Sequence, residues 1–314
     1  MGIYFTGSKS ALHKSHAKHE SFSVVRSMEF TSKELQPVLN EMLVHATTQL
    51  PADILIAIKE AHAHETKDLA KKQLEAILTS AGLSDEKGLP LCQDTGLVTL
   101  FVSGELVNHL GEVEKALAHA AQGLTAKGGM RANVVNPLTR KNTGTNTGLS
   151  QPEVLIDRST DKTQMRMILK GAGSENFTNL KMMVPTASRQ DIFKHILQVL
   201  IEAGGKTCPP NILGIGIGGS AIQAMFNSKR ALLREIGSRH PDADVAQFET
   251  SILKAGNELG IGTMGLGGDT TLLDVHIETA GTHTACLPIA ISFGCWANRV
   301  AAAELKGQRF RMVR

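Results

Sequence analysis

The chain has 314 residues, of which 42% are hydrophobic and 20% charged, so it holds enough material for one large or two ordinary globular domains. Its 33 basic and 30 acidic residues leave a formal charge of +3, which is too small to predict a nucleic-acid or membrane-surface partner. No apolar run approaches the ~20 residues that a membrane span requires, and a single Trp and a single Tyr argue against an aromatic stacking platform. A small anionic ligand, by contrast, would need only a local cluster of charge.

The N-terminal region divides into an arm and a helical segment. Residues 1–28 show little helical or strand periodicity, and we predict a mobile or partner-docked arm there. From Thr31 to Gly82 apolar residues recur with helical spacing, and Pro51-Ala52-Asp53 begins a new helix within this stretch. We expect a layer of helices at the start of one catalytic domain that spans 29–314.

Strands and helices alternate beyond this layer. Their apolar periodicity predicts strands at 96–104, 153–159, 164–173, 211–219, 272–279 and 286–294, and helices at 113–120, 188–205, 221–233 and 246–259. Such alternation is typical of an α/β fold. The expected architecture is a mixed sheet core flanked by helical layers.

The four cysteines contain no C-x-x-C pair, and no early signal peptide is evident, which favours a reducing cytoplasm. Cys92 in PLCQDTG, Cys208 in KTCPPN and Cys295 in FGCWANR lie next to turn-forming or strand-ending sequences, whereas Cys286 begins the apolar run CLPIAIS. Free cysteines often act as small buried hydrophobic residues, so a purely structural role for all four is an open alternative. The long gaps between the cysteines exclude a local zinc finger or a ferredoxin-type run, but they allow a cluster assembled by the fold.

The segment GIGIGG, Gly214–Gly219, matches G-x-G-x-x-G between a predicted strand and a predicted helix, and Glu235 follows at about the spacing of a ribose-binding acid. A dinucleotide site that uses Gly214, Gly216 and Gly219 is therefore a competing hypothesis. The alternation of these glycines would also allow a neighbouring segment to approach one face of the strand closely.

Three segments are rich in turn-forming residues with hydroxyl or backbone donors: RKNTGTNTG at 140–148, LKGAGSEN at 169–176 and GLGGDTT at 265–271. Together they supply enough donors for an anion whose charge is spread over several oxygens. The ionisable candidates near these turns are Asp94, Arg131, His276 and His283. His276 lies within a strand pattern and fits a structural role, whereas a turn position leaves His283 open to a functional one.

Seven motifs occur in order along the chain: LCQDTG, RANVVNP, NTGTNTG, KGAGSENFTNLKMM, CPPNILGIGIGGS, LGIGTMGLGGDTTLLDVHIETAGTH and GCWANR. In this combination the chain closely resembles the iron–sulfur hydro-lyases that comprise class I fumarases and L-tartrate dehydratases. The resemblance covers residues 29–305, which is nearly the whole alpha subunit or N-terminal catalytic part of that family.

The resemblance implies that Cys92, Cys208 and Cys295 hold a [4Fe–4S] cluster whose fourth iron stays open as a Lewis acid for substrate. It implies that Asp94, working with His283, donates a proton to the leaving hydroxyl. Gln93, Arg131 and the backbone around Gly171 would bind the substrate, with Arg131 forming a fork with a carboxylate.

The resemblance also implies a partner. Longer members of the family carry a further C-terminal domain with a Thr base and with Arg and Lys substrate ligands, whereas this chain stops at Arg314. We therefore expect a separate beta subunit, an alpha2beta2 assembly and a small dicarboxylate substrate, with no nucleic acid and no membrane involved.

Fumarate is the expected substrate, and L-tartrate is the alternative. Three other hypotheses use the same residues differently. They are an NAD-binding oxidoreductase without iron, a non-catalytic subunit that kept the fold, and an electron carrier whose saturated cluster uses Cys286 as the fourth ligand.

Overall fold

The computed structural model describes residues 30–314. Eight α-helices and nine strands are formed there. The helices are α1 Ser32–Thr48, α2 Ala52–His64, α3 Asp68–Lys87, α4 Leu110–Ala126, α5 Ala172–Glu175, α6 Arg189–Ala203, α7 Ala221–Ala231 and α8 Ala243–Glu258. The strands are β1 Leu97–Ser103, β2 Glu153–Ile156, β3 Gln164–Lys170, β4 Asn179–Met183, β5 Asn211–Gly218, β6 Leu272–Ala280, β7 Leu287–Gly294, β8 Arg299–Lys306 and β9 Arg309–Met312.

The strands form two mixed sheets. The first has the order β2-β1-β3-β8-β9 and the second has the order β4-β7-β5-β6. The neighbours β1 and β2 are parallel, as are β5 and β6, and all other pairs are antiparallel. The connection from β7 to β8 carries the chain from the second sheet into the first, so the two sheets meet at Gly294–Arg299.

Helices cover both sheets. Helices α1 and α4 pack on the first sheet, where Met42 and Leu117 join one buried apolar cluster with Met167 of β3. Helices α6 and α8 pack on the second sheet in the same way. A third cluster includes Ile58 of α2 and Phe101 of β1, and it fills the space between the sheets. These layers confirm the predicted α/β class.

The N-terminal helical segment is also confirmed, and it is broken into three helices. Thr31 caps α1 through a capping box with Glu34, because each side chain accepts a hydrogen bond from the other's backbone N–H. Gly88 ends α3 in the left-handed conformation. The arm predicted at 1–28 lies outside the described residues.

Three strands have no counterpart in the predicted elements: β4, β8 and β9. Strand β8 reads RVAAAELK, and its alanines favour a helix by intrinsic propensity. Pairing with β3 and β9 makes it a strand instead. Among the helices in residues 30–314, none is both long and apolar enough to cross a membrane.

Candidate active site

The cysteines that were distant in sequence meet at the junction of the two sheets. Cys295 follows the last residue of β7, and Cys208 lies three residues before β5. Ile212 of β5 pairs with Gly294 of β7, so the two cysteine loops lie at the same edge. Cys92 lies in the loop that leads into β1 of the other sheet.

The loops of Cys208 and Cys295 are joined by a buried side chain. The amide of Asn211 donates to the carbonyl of Thr207 at 3.0 Å and to the carbonyl of Gly294 at 3.0 Å, and each of these residues directly precedes a cysteine. The backbone N–H of Trp296 also donates to the Cys208 carbonyl at 3.1 Å. Asn211 thus fixes the separation of the two cysteines, a role that sequence analysis missed.

Cys208 has a left-handed backbone conformation with φ of 56°. A residue with a Cβ atom adopts this conformation at a cost of about 1–2 kcal/mol, and such strain is concentrated at functional sites. The contacts made by Asn211 and Trp296 hold the residue there. The strain therefore supports a function for Cys208.

Burial raises the pKa of Cys208, and the nearby Cys295, Cys92 and Asp94 raise it further because their negative charges oppose a thiolate. Burial also raises the pKa of Cys295, although Arg299 and the N–H of Ala297 act in the opposite direction. The three thiols and Asp94 are thus electrostatic neighbours. Without a cation beside them, the thiols of Cys208 and Cys295 ionise less readily than a free cysteine.

Asp94 is held by hydrogen bonds from three directions. Its carboxylate accepts from the N–H of Ala172 at 2.6 Å, the N–H of Gly96 at 3.0 Å and the amide of Asn133 at 3.3 Å. The carboxylate is therefore anchored between the start of β1 and the turn after β3.

The backbone of Arg131 lies beside Thr95, the residue that follows Asp94. The Arg131 N–H donates to the Thr95 hydroxyl at 3.1 Å, and its carbonyl accepts from the Asn146 amide at 2.7 Å. Asn146 belongs to the NTGTNTG loop, so three of the sequence motifs meet here. The side chains of Arg131 and Gln93 are exposed and free to meet a ligand.

Gly171 occupies the narrow space between Asp94 and Arg299. A Cβ atom at this position would lie 3.1 Å from Asp94 Oδ2 and 3.3 Å from Arg299 Nη2. Glycine thus lets the backbone approach both groups. This placement agrees with the expected substrate-binding role, which remains a prediction.

Two buried cations at this site were also missed by sequence analysis. Arg299 begins β8 and is 2% exposed, and Lys170 ends β3 and is 3% exposed. Burial lowers the pKa of Lys170, which the ion pair with Glu175 partly offsets. The only sequence signal was their position at the edges of the KGAGS and GCWANR motifs.

His283 and Cys286 lie at the opposite end of the second sheet. Both precede β7, whereas Cys295 follows it, and the eight residues of β7 span about 27 Å. His283 is exposed there in the loop that reaches Gly219 through the Thr282 hydroxyl. The structure of one chain therefore does not bring His283 to Asp94 or Cys286 to the other cysteines.

The GIGIGG glycines have a packing explanation. A Cβ atom at Gly214 would lie 2.1 Å from the Ser228 carbonyl, and one at Gly216 would lie 2.0 Å from the Ala224 carbonyl. Both carbonyls belong to α7, which packs directly on β5. His276 is fully buried within β6 and contacts Asp274 at 3.2 Å, in keeping with a structural role.

The donor set at the junction suits an iron–sulfur cluster better than a single ion. In residues 30–314, no three His, Cys, Asp or Glu side chains are grouped for one metal ion. A cluster instead binds each cysteine through a different iron and so needs wider spacing. Binding iron to the three thiols would displace their protons, which resolves the unfavourable ionisation described above.

Comparisons with known proteins agree with this arrangement. A family described as "Fumarate hydratase (Fumerase)" matches residues 36–304. The chain belongs to the fumarate hydratase family. Family membership makes it a hydro-lyase, as its motifs predicted, and all three cysteines at the junction lie within the matched region.

Named relatives in this family cover most of the chain. "Putative L(+)-tartrate dehydratase subunit alpha" of Methanocaldococcus jannaschii is 42% identical over 87% of this chain and 98% of its own length. "L(+)-tartrate dehydratase subunit alpha" of Escherichia coli strain K12 is 31% identical over 85% of this chain and 89% of its own. The protein of the same name from Shigella boydii has the same identity and coverage.

Proposed function

We propose that this chain is the alpha subunit of an iron–sulfur hydro-lyase that reversibly hydrates fumarate to malate. The observation that carries the proposal is the convergence of Cys92, Cys208 and Cys295 with Asp94 where the two sheets meet. A [4Fe–4S] cluster held by three cysteines would supply an iron with an open coordination position, which acts as a Lewis acid.

Asp94 is the proposed proton donor to the departing hydroxyl. Hydroxide leaves poorly, so a positioned acid contributes typically ~10²–10⁴-fold in rate. The N–H groups of Ala172 and Gly96 fix the carboxylate in place, while its side chain remains partly exposed.

Arg131, Gln93 and Gly171 form the proposed substrate-binding edge. The exposed Arg131 guanidinium can take a carboxylate in a two-bond fork, which a lysine does less specifically. Gly171 leaves room for a carboxylate to approach the backbone beside Asp94. These groups bind only part of a four-carbon diacid, so a second subunit has to complete the pocket.

His283 can assist Asp94 only from another copy of the chain. The two residues lie at opposite ends of β7, which is about 27 Å long. The expected alpha2beta2 assembly provides the second copy. A two-fold axis between the alpha subunits would create two equal sites, each with Asp94 from one copy and His283 from the other.

A separate beta subunit agrees with the relatives, since their names describe alpha subunits. The NTGTNTG loop carries two large apolar side chains at its borders, Leu138 at 91% exposure and Leu149 at 99%. The loop supports Arg131 and Asn133 beside the site. We place the beta subunit against this loop, where it would cover both leucines and reach the substrate.

Replacing Leu138 and Leu149 by Asp should prevent this association. Both side chains are exposed, so the alpha chain should keep its Tm, whereas co-purification with beta should be lost. Ile222→Asp is a matched control, because Ile222 is an apolar residue of α7 that is 83% exposed and does not belong to the loop. If the double variant still co-purified fully with beta, the docking face would lie elsewhere.

L-tartrate dehydration to oxaloacetate is the second candidate reaction. The names of the relatives favour it, whereas the family description favours fumarate. Tartrate and malate differ by one hydroxyl, and a site discriminates such substrates through one or two hydrogen bonds. The reducing compartment expected from the four free cysteines suits either reaction.

The deciding experiment is a kinetic comparison of the anaerobically purified alpha–beta complex with fumarate, malate and L-tartrate. We expect kcat/KM for fumarate to exceed that for tartrate by at least about tenfold. The opposite ratio would select the tartrate candidate. An iron-loaded complex that dehydrates neither hydroxy acid would overturn the hydro-lyase proposal and favour the non-catalytic alternative.

A further inference from the structure

Arg299 is one of the largest fully buried side chains of the molecule. Its Nε donates to the Leu169 carbonyl at 3.3 Å, and Nη1 donates to the Asp94 carbonyl. Both partners are neutral backbone groups. The guanidinium thus ties the end of β3 to the loop of Cys92 and Asp94, but these contacts do not neutralise its charge.

A buried charge is costly unless an opposite charge accompanies it. None of the ion pairs formed within residues 30–314 includes Arg299. The nearby Lys170 differs, since its ammonium lies 2.8 Å from the Glu175 carboxylate. Asp94 faces Arg299 across Gly171, but its carboxylate is hydrogen-bonded to Ala172, Gly96 and Asn133 instead.

Two cysteine loops adjoin Arg299: Cys295 lies four residues before it, and Cys92 lies two residues before Asp94, whose carbonyl accepts a hydrogen bond from Nη1 of Arg299. Arg299 interacts electrostatically with Cys295, where its charge favours the thiolate. Substrate cannot supply the missing charge by direct contact, because Arg299 is 2% exposed. The exposed Arg131, by contrast, is available to a carboxylate. The two arginines of the site therefore face different anions.

We propose that Arg299 is a positioning residue whose buried charge balances the thiolates of Cys92, Cys208 and Cys295 and the cluster they hold. This inference rests on the proposed function. In the iron-free chain the guanidinium faces only Asp94, with which it forms no ion pair, whereas the iron-loaded chain would add the negative charge of the thiolates. Its favourable effect on stability should therefore depend on loading with iron.

The test compares Arg299→Gln and Arg299→Lys in the full chain, both iron-free and reconstituted with iron and sulfide. We expect Arg299→Gln to change the Tm of the iron-free chain by less than about 3 °C. Arg299→Gln should also reduce the increase in Tm that the chain shows when it is loaded with iron. The reduction potential of the loaded cluster should fall, because removing a nearby positive charge disfavours the more negative, reduced state. Arg299→Lys should restore most of the potential.

Arg234→Gln is the control, since Arg234 is a part-buried arginine that pairs with the buried Glu249 at 2.7 Å. It should lower the Tm of both forms alike and leave the potential unchanged. The inference is wrong if Arg299→Gln behaves like this control, fails to fold without iron, or keeps the wild-type potential. A wild-type chain that binds no iron would instead remove the proposed function, and the inference with it.

Discussion

The two ends of the second sheet differ in how much one chain assembles there. At the end with Cys208 and Cys295, Asn211 joins the loops and Asp94 is fixed by three donors. At the other end His283 lies in an exposed loop, where its Nδ1 accepts from the Ala285 N–H and the Thr282 hydroxyl lies 3.1 Å from the carbonyls of Gly219 and Cys286. The family motifs include both ends. The difference teaches that one chain assembles the proposed cluster site but does not bring the two proposed acid residues together.

The cysteines provide the sharpest test of this comparison. Cys208→Ser should abolish the cluster and lower kcat/KM by at least ~10³-fold, because a Lewis-acidic metal contributes several kcal/mol to transition-state stabilisation. Cys286→Ser is the matched control from the other end and should stay within about twofold of wild type. Iron content and fumarate hydration measure both. Loss of iron from Cys286→Ser would contradict the assignment of the two ends.

Asp94→Asn tests whether the fixed carboxylate performs chemistry or only supports the loop. The amide has one acceptor oxygen, so it can keep the bonds from Gly96 and Asn133 to Oδ1 or the bond from Ala172 to Oδ2, but not both. Iron content should remain near wild type, and loss of one hydrogen bond should lower the Tm by only about 2–4 °C. The value of kcat should fall by ~10²–10⁴-fold, as expected for loss of a general acid. A variant that keeps more than about half of the wild-type kcat would show that the proton comes from another group.

Gly216→Ala tests the middle of β5, between the two ends. The added Cβ would lie 2.0 Å from the Ala224 carbonyl, and overpacking of this kind costs about 1–3 kcal/mol in the free energy of unfolding. Gly111→Ala in α4 is the control, because no heavy atom lies within 4 Å of its Cβ position. Thermal unfolding of both variants measures the difference. An unchanged Tm for Gly216→Ala would contradict the packing explanation of GIGIGG and would favour the nucleotide hypothesis.

Mixed assemblies test whether the two ends meet across copies. If each site takes Asp94 from one chain and His283 from the other, random mixing of Asp94→Asn and His283→Asn chains should restore roughly a quarter of the wild-type activity. Co-expressed, differently tagged chains purified through both tags isolate the mixed dimers, in which one of the two sites is intact, so their activity should rise to roughly half of wild type. Activity no higher than that of the single variants would place both residues in one site or remove His283 from catalysis.

The sequence predicted much of the architecture, because strand and helix periodicity is strong in β5, β7, α6 and α8. It did not predict β8, since the alanines of this strand carry a helical propensity that only pairing with β3 overrides. The three cysteines proposed to hold the cluster could be named from motif order. Their meeting point could not, because it depends on the register of β5 with β7 and on the passage from one sheet to the other.

Supporting residues were harder to predict than ligands. Asn211, Arg299 and Lys170 act through burial and through contacts with distant segments, and neither is visible in a residue's neighbours along the chain. The predicted pairing of Asp94 with His283 shows the converse problem. Motifs identify residues that serve the same function, but they do not show whether those residues lie close together within a single chain.

The central claim is a cluster held by Cys92, Cys208 and Cys295 alone, and electron paramagnetic resonance tests it most directly. The anaerobically reconstituted protein would be oxidised briefly and mildly, with iron and sulfide counted on the same sample. The account predicts a three-iron signal, because an iron without a cysteine ligand is lost first. A four-iron cluster that survives oxidation, or a protein that takes up no iron, would contradict it.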